Sequence, residues 1–259
     1  MIDVTALILT FNEEQNIGRT LGALKFIERV LIIDSFSTDE TIRVAHLAHP
    51  SVRVETRAFD SFAGQCNFGL AQITTEWVLS IDADYVLTPE LGREIAALNP
   101  GFDTGGYSAQ FRYCIFGYAL RDTVYPARTI LYRRALARYQ DEGHGHRVIV
   151  DGKIDNLMGK VDHDDRKPLS HWIRSQDRYA AIEAKHLLNA QRNALKLQDR
   201  IRLRIYFAPI LMFGYLLLAR GLICDGWRGW YYISQRVIAE LLLSIRLLEE
   251  KKHLKEMAS

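Results

Sequence analysis

Two carboxylates raise the question of function first: Asp82 and Asp84 stand two residues apart, directly after the apolar run Trp77-Val78-Leu79-Ser80-Ile81. In extended geometry residues at that spacing point the same way. The pair could share a divalent cation, or one carboxylate could hold the metal while the other takes a ribose hydroxyl. A nucleotide diphosphate makes that demand, because its negative charge grows as the bond to it breaks and Mg2+ or Mn2+ neutralises it without proton transfer. A lone Asp-x-Asp at a strand end is more often a solvated turn, so the surrounding elements have to carry the argument.

Those elements read as a βαβ series. Residues 4–9, 30–33, 52–55 and 77–81 are short β-rich apolar runs, and residues 14–24, 39–46 and 62–73 between them have helical character. Continuous apolar strands suit a parallel sheet covered on both faces, with right-handed crossovers giving an open doubly wound arrangement. Ligands of such sheets bind beyond the carboxyl ends of the strands. There the first run ends in Thr10-Phe11-Asn12-Glu13, the second in Asp34-Ser35-Phe36-Ser37-Thr38-Asp39 and the fourth in Asp82-Ala83-Asp84. Three acidic strand ends are expected on one edge.

The chain has 259 residues, about half of them apolar and a quarter charged, with a formal net charge of +2. That is a folded protein without the global basic field of a nucleic-acid binder. Cys66, Cys114 and Cys224 are far apart and lack metal-ligand spacing, which argues against a disulfide framework or a zinc site. No basic region precedes the first apolar run and no small-residue cleavage site follows it, so residues 4–9 are expected to be a first strand and the active domain cytoplasmic.

Beyond residue 100 the pattern is less regular. Residues 107–113, 129–133 and 147–150 are strand-like, with the His-rich turn Asp141-Glu142-Gly143-His144-Gly145-His146 between the last two, and Pro168 opens a helical stretch to about residue 197. An uncharged run over 205–219 lies between Arg200, Arg202 and Arg204 on one side and Arg220 on the other. At fifteen residues it is short of the roughly twenty that span a bilayer. A second segment, 231–248, follows Trp227, Trp230, Tyr231 and Tyr232 and includes Arg236, Glu240 and Arg246. Flanking arginines and interfacial aromatics point to helices lying in a membrane interface, the alternative being a buried hairpin or a contact with a second copy.

Four blocks in order resemble family 2 glycosyltransferases of the GT-A fold, and within them the lipopolysaccharide-core β-glucosyltransferase type. They are Leu7-Ile8-Leu9-Thr10-Phe11-Asn12-Glu13-Glu14, Ile32-Ile33-Asp34-Ser35-Phe36-Ser37-Thr38-Asp39, Phe62-Ala63-Gly64-Gln65-Cys66-Asn67 and Glu76-Trp77-Val78-Leu79-Ser80-Ile81-Asp82-Ala83-Asp84. The resemblance implies a GT-A, Rossmann-like, mostly parallel sheet flanked by helices. It assigns residues 1–165 to a catalytic domain, with 1–100 binding nucleotide sugar and 101–165 serving acceptor and catalysis, and residues 166–259 to a helical, membrane-associating or oligomerising appendage.

The same resemblance implies that Thr10, Phe11, Asn12 and Glu13 line the nucleotide pocket, that Asp34 hydrogen-bonds the base, and that Gln65 and Asn67 lie near base and ribose. Asp82, with Ala83, faces ribose or diphosphate, and Asp84, Asp82 and His163 form the site for Mn2+ or Mg2+. Apart from the resemblance, Arg128 and Arg133 lie before and within the run 129–133, where a guanidinium could reach diphosphate oxygens in bidentate geometry, Arg128 ranking first; solvated strand residues are the equal alternative. Thr10 and Asn12 suit a turn and helix cap equally well. Two departures are visible: Cys66 stands where a lysine often precedes the asparagine, and Tyr85 stands where the motif often continues with Glu. An inverting transfer needs a base for the acceptor hydroxyl, and the resemblance places it in the 141–146 turn, with Glu142 first, His144 as partner or base, and Asp141 third. A polar turn without a chemical role is the plain alternative.

The expected partners are a nucleotide-sugar donor, a lipid-linked or glycolipid acceptor, and the inner face of the cytoplasmic membrane or a second copy of the chain. Nucleic acid is not among them. A nucleotidyltransferase would carry a glycine-rich basic loop after the first strand, where this chain has Asn12-Glu13-Glu14-Gln15. A dinucleotide-dependent oxidoreductase would carry Gly-x-Gly-x-x-Gly there. A non-catalytic membrane adaptor has no need of two repelling carboxylates at 82 and 84.

Overall fold

The computed structural model describes residues 2–142, 145–191 and 195–257, the side chains of 142, 145, 146, 254, 255 and 257 excepted. The chain divides into two compact units. One comprises residues 1–119 and 123–167, the other 120–122 and 168–259, so the division falls at Lys167 and Pro168.

The first unit opens with the alternation read from the sequence: β1 (Val4–Thr10), α1 (Ile17–Gly22), β2 (Arg29–Asp34), α2 (Thr41–Ala48), β3 (Val52–Thr56), α3 (Phe62–Gln72) and β4 (Trp77–Asp82). The order β3-β2-β1-β4 is parallel throughout, with Thr10 opposite Asp34 and Leu9 opposite Asp82. Both faces are covered, which is why the strands read as continuous apolar runs. Ala6, Ile8, Ile32 and Leu79 pack with Ile17 and Leu21 of α1, whereas Leu7, Ile33 and Val78 pack with Ala63, Cys66 and Leu70 of α3. Ser61 caps α3 by accepting from the Gly64 N–H at 3.0 Å.

Past β4 the sheet is mixed. β5 (Tyr85–Leu87), α4 (Pro89–Ala96), β6 (Thr104–Ile115), β7 (Tyr118–Ala119), β8 (Arg128–Arg133), β9 (Ala137–Glu142), β10 (Gly145–Val150) and β11 (Lys153–His163) follow in the chain. The main sheet continues β4-β8-β6-β11-β5, antiparallel except between β6 and β11, while β9 and β10 form a separate hairpin. β5 begins three residues after β4 ends, a reach of about 10 Å, yet it sits four strand places away, about 19 Å in a flat sheet. The sheet must therefore curl, and the curl returns β11 and β5 to the neighbourhood of the Asp84 turn.

Gly159 lets this closure happen. A Cβ there would stand 2.5–2.6 Å from the backbone and Cβ of Leu91 in α4. The Glu94 carboxylate of the same helix accepts from the Met158 and Gly159 N–H groups at 2.8–3.1 Å, where β11 slips register against β6.

The second unit is helical: α5 (Leu169–Asn189), α6 (Leu197–Arg202), α7 (Phe207–Gly214) continuing into a π turn at Tyr215–Ala219, a 3-10 turn at Leu222–Asp225, and α8 (Gly226–Met257). Its small core gathers Ala180, Ala184, Leu187, Ile205, Leu243 and Leu247. Polar ties reinforce it: Arg202 to the buried Glu240 at 2.7 Å, and a bidentate Arg246–Asp177 pair in which Nε and Nη2 donate at 2.6–2.9 Å. Among the described residues no single helix is long and apolar enough to cross a membrane; α7 with its π turn and the segment from Leu222 form a pair bent by 73°.

Candidate active site

The carboxyl ends of β1 and β2 are tied into one rigid edge. The Thr10 hydroxyl donates to Asp34 at 2.7 Å, and Asp34 also accepts the Ser37 hydroxyl at 2.6 Å and the Ser37 N–H at 2.8 Å. Asn12 adopts a left-handed backbone (φ 54°), accepts the Thr38 N–H at 2.8 Å and donates its own N–H to Ser37 at 2.9 Å. Thr10 and Asp34 are buried, while Phe11 and Phe36 on either side of them are exposed. The result is a carboxylate held in place at the strand edge, with an exposed aromatic residue in each of the two adjoining loops, a suitable seat for a heterocycle.

Glu13 turns inward. It ion-pairs with Lys167 and accepts from the Asn16 amide at 2.9 Å. Burial pushes its carboxyl up to about 7, with Lys167 opposing and the charge of Asp84 adding to the rise. Lys167 belongs to a segment after β11 that folds onto the first loop: Asn16 donates to Asp165 at 2.9 Å, and Asp164 accepts from Arg19, from Arg166 at 2.8 Å and from the Gly117 N–H at 3.1 Å.

Asp82 and Asp84 are placed differently from the extended pair expected. Asp82 closes β4, but Ala83 and Asp84 form a turn before β5, so the alternation of a single strand does not reach Asp84. Asp84 is aimed by β11 instead. His163 pairs with Tyr85 across β11 and β5, the Asp164 N–H donates to the Asp84 carbonyl at 3.0 Å, and His163 Nε2 lies 3.0 Å from Asp84 Oδ2. Burial opposes both charges, yet the mutual attraction and hydrogen bond keep the Asp84 carboxyl below its usual range and raise the His163 imidazole above its own. Tyr85, Tyr113 and Tyr125 surround His163 with edge-on rings at 4.8–5.2 Å.

Tyr85 fills the position where the motif often has Glu. It is buried, its hydroxyl meets that of Tyr125, and Arg128 donates to it at 3.4 Å while stacking 4.8 Å over Tyr125. Arg133, by contrast, lies 4.7 Å over Trp77 and pairs with Glu76. Asp82, Tyr85 and Arg128 open onto a cavity of about 400 Å3, which Tyr139 and Arg147 also line.

Other expected positions are used inside the fold. Asn67 gives both ends of its amide to the Tyr139 backbone, at 2.9 and 3.0 Å, and so pins α3 to β9. Gln65 is buried and donates to the Arg57 and Ala58 carbonyls, at 3.3 and 2.9 Å. Cys66 lies in the core beneath α3, where burial pushes its thiol up. The Ala83 carbonyl accepts from Thr20 at 2.6 Å.

The segment read as an acidic turn is largely the hairpin of β9 and β10, with Asp141 opposite His146 and Glu142 opposite Gly145. Asp141 accepts the Ala63 N–H at 3.1 Å, at the start of α3. His144 and the side chain of Glu142 lie outside the described residues.

The sequence model described as Glycosyl transferase family 2 matches residues 5–147. This chain belongs to that family. Relatives agree with the assignment. A lipopolysaccharide core biosynthesis glycosyltransferase, LpsC of Rhizobium meliloti, is 27% identical over 191 residues, 71% of each chain. A glycosyltransferase of Rickettsia typhi is 34% identical over 96 residues, 37% of this chain and 32% of that one, so the match spans about a third of that relative's length. Solved structures resemble the family 2 chain more loosely. TarS 1–349 of S. aureus with UDP-GlcNAc has 16% identity and a TM-score of 0.47 over 98% of this chain and 92% of that chain. Glucosyl-3-phosphoglycerate synthase of Mycobacterium tuberculosis with Mg2+ and UDP has 14% identity and a TM-score of 0.45 over 72% and 78%.

Several site residues of this family 2 chain escaped sequence reading. Phe36 has a left-handed backbone (φ 61°) that no bulky side chain adopts readily. Lys167 and Tyr125 are remote in sequence from the groups they meet, and nothing in their local pattern marks them.

Proposed function

We propose that this chain is an inverting glycosyltransferase that moves a hexose, in the first instance from a UDP-sugar, to a lipid-linked or lipopolysaccharide-type acceptor in cell-envelope glycan synthesis, at the inner face of the cytoplasmic membrane. The observation that carries the reading is the Asp84–His163 contact at 3.0 Å beside Asp82, on the sheet edge that also presents Asp34 and Phe11.

The residues present fit a divalent cation. One carboxylate and one imidazole, 3.0 Å apart, have the spacing of neighbouring ligands on an octahedral ion at ~2.1 Å each. Among the described residues no group of three or more acidic, histidine or cysteine side chains forms a fuller cage. Asp84 and His163 would hold the ion, and when bound it would supply positive charge against the departing diphosphate.

The chain's own groups account for the rest. Asp34 has acceptor capacity left for a base N–H beside the rings of Phe11 and Phe36. Asp82, at the end of β4, is placed for a ribose hydroxyl, and Arg128, aimed by Tyr85 and Tyr125, for phosphate oxygens. Tyr139, Arg147 and Val148 of the β9–β10 hairpin line the cavity, and β9 ends at Asp141 and Glu142, which supports this hairpin as the source of the base for the acceptor hydroxyl.

In the second unit Phe207, Ile210, Leu211, Leu218, Ile223 and Trp227 are all more than half exposed, next to Arg204, Arg220 and Arg228 in the chain. Exposed apolar and aromatic residues beside cations suit an anionic lipid surface.

Turnover of UDP-, GDP- and dTDP-sugars with and without Mn2+ or Mg2+ tests the proposal, comparing the native chain with Asp84→Ala and His163→Ala. The expected result is metal-dependent turnover of one donor, reduced by roughly 10³-fold in Asp84→Ala, the equivalent of several kcal/mol of charge stabilisation. A chain that binds no donor sinks the reading. Pelleting the same protein with anionic vesicles reads its membrane part, and protein that stays in the supernatant refutes that part.

A further inference from the structure

Arginines in the first unit are nearly all neutralised. Arg19, Arg29, Arg43, Arg53, Arg57, Arg93, Arg112, Arg133, Arg138 and Arg166 each have a carboxylate within ion-pair distance. Among the described residues of this unit, Arg128, Arg134 and Arg147 have none. Two of these three line the same cavity, the one that opens beside Asp82.

The two are not equivalent. Arg128 comes from β8 and is held by aromatic partners on the side of the cavity next to Asp82 and Tyr85. Arg147 comes from β10, opposite Gln140 of β9, and is the first residue after the 141–146 segment. It is exposed, and among the described residues neither a carboxylate nor an aromatic ring holds it. The nucleotide edge at Thr10, Asp34 and Asp84 is built from β1, β2 and the turn after β4, so the β9–β10 hairpin forms the wall left for the acceptor. Asp82 lines the same cavity but is not within ion-pair distance of Arg147, so among the described residues the Arg147 guanidinium has no carboxylate partner in it.

We propose that the acceptor carries an oxyanion, a phosphate monoester or a carboxylate, close to the hydroxyl that is glycosylated, and that Arg147 receives it. This rests on the transferase reading. It adds that the acceptor sugar is charged and that Arg147, with its forked donors, reads that charge. A neutral sugar is then a poor acceptor even when its hydroxyl has the right stereochemistry, because a guanidinium bonded to one substrate and left with water for another separates them by one charge-assisted hydrogen-bond pair.

The full chain, assayed with the donor that the panel selects and with a lipid-glycan extract from cells lacking this protein, provides the test. One portion of the extract is dephosphorylated with aqueous hydrofluoric acid, a second has its carboxyls reduced, and a third is untreated. One of the two treatments is expected to raise KM at least tenfold while kcat changes less, which also says whether the anion is phosphate or carboxylate. Arg147→Ala is expected to raise KM for the untreated acceptor by a similar factor but not for the treated one, and Arg147→Lys to recover part of the loss.

A measurement without turnover accompanies it: calorimetric titration of inorganic phosphate into protein saturated with UDP and Mg2+, in which Arg147→Ala is expected to weaken binding at least tenfold. Equal KM for all three extracts overturns the inference, as does an Arg147→Ala variant whose KM rises for the donor instead of the acceptor. Donor turnover without dependence on the acceptor's charge leaves the transferase standing and removes this proposal alone. No donor turnover removes both.

Discussion

The two halves of the main sheet reach the site by different routes. In the parallel half, β3-β2-β1-β4, each functional residue sits at the end of the strand that carries it, and loops one crossover apart bind each other, as Thr10 does Asp34 and Asn12 does Thr38. In the mixed half the partners come from far away in the chain: His163 meets Asp84 across 79 residues and Lys167 meets Glu13 across 154. The first half is a pocket assembled from successive βα loops, and it can form as those units form. The second depends on a curled sheet closing, so its geometry is only as good as the long-range packing beneath it. Donor recognition and charge handling thus rest on supports of different kinds, and perturbations should separate them.

The largest expected effect lies where the halves meet. Glu13 has its carboxyl raised by burial from 4.5 to about 7, so it favours the native state fully below about pH 4.5, and that contribution disappears as pH rises through 7. Relative to Glu13→Gln, the native chain should lose on the order of 3 kcal/mol across that interval. Denaturant titrations of both proteins across the interval check this, and parallel stability curves would mean that Lys167 fully offsets the burial.

Closure itself can be broken at Gly159. Any side chain there collides with the Leu91 backbone, so Gly159→Val should cost about 2–3 kcal/mol. It should also weaken Mn2+ binding through displacement of β11 and His163, while UDP affinity without metal stays close to native. Equal loss of both would make the two halves one cooperative unit.

A smaller effect is expected at the other junction. Asn67→Ala strands the Tyr139 N–H and C=O, at a cost of about 2 kcal/mol. It should disturb the β9–β10 wall, seen as a higher KM for acceptor with that for donor little changed. A change confined to donor KM would instead restore Asn67 to the ribose.

Legibility follows the same division. The apolar runs around Ile8, Ile32 and Leu79 are continuous because α1 and α4 cover one face and α3 the other, so burial wrote the parallel strands into the sequence. Asp34 and Asp82 were legible because strand ends of such a sheet are where ligands go. His163 was singled out only through resemblance, since a histidine ending a strand has no local signature of its distant partner. The 141–146 segment looked like a turn because glycine and histidine hide strand pairing, and Asn67 looked available because its partner is backbone on a strand 72 residues away.

The sequence by itself determined the βαβ order, the polar strand ends, the family, and a helical tail rich in arginine and aromatics, because these follow from local periodicity and from short blocks of residues. Tertiary structure alone decided that Asp84 leaves the plane of Asp82 to meet His163, that Tyr85 aims Arg128, and that Asn67 is used as a clamp. The first two need the sheet to curl, since the two residues between β4 and β5 cannot otherwise reach across four strand places, and the third needs the β9–β10 hairpin to pack on α3.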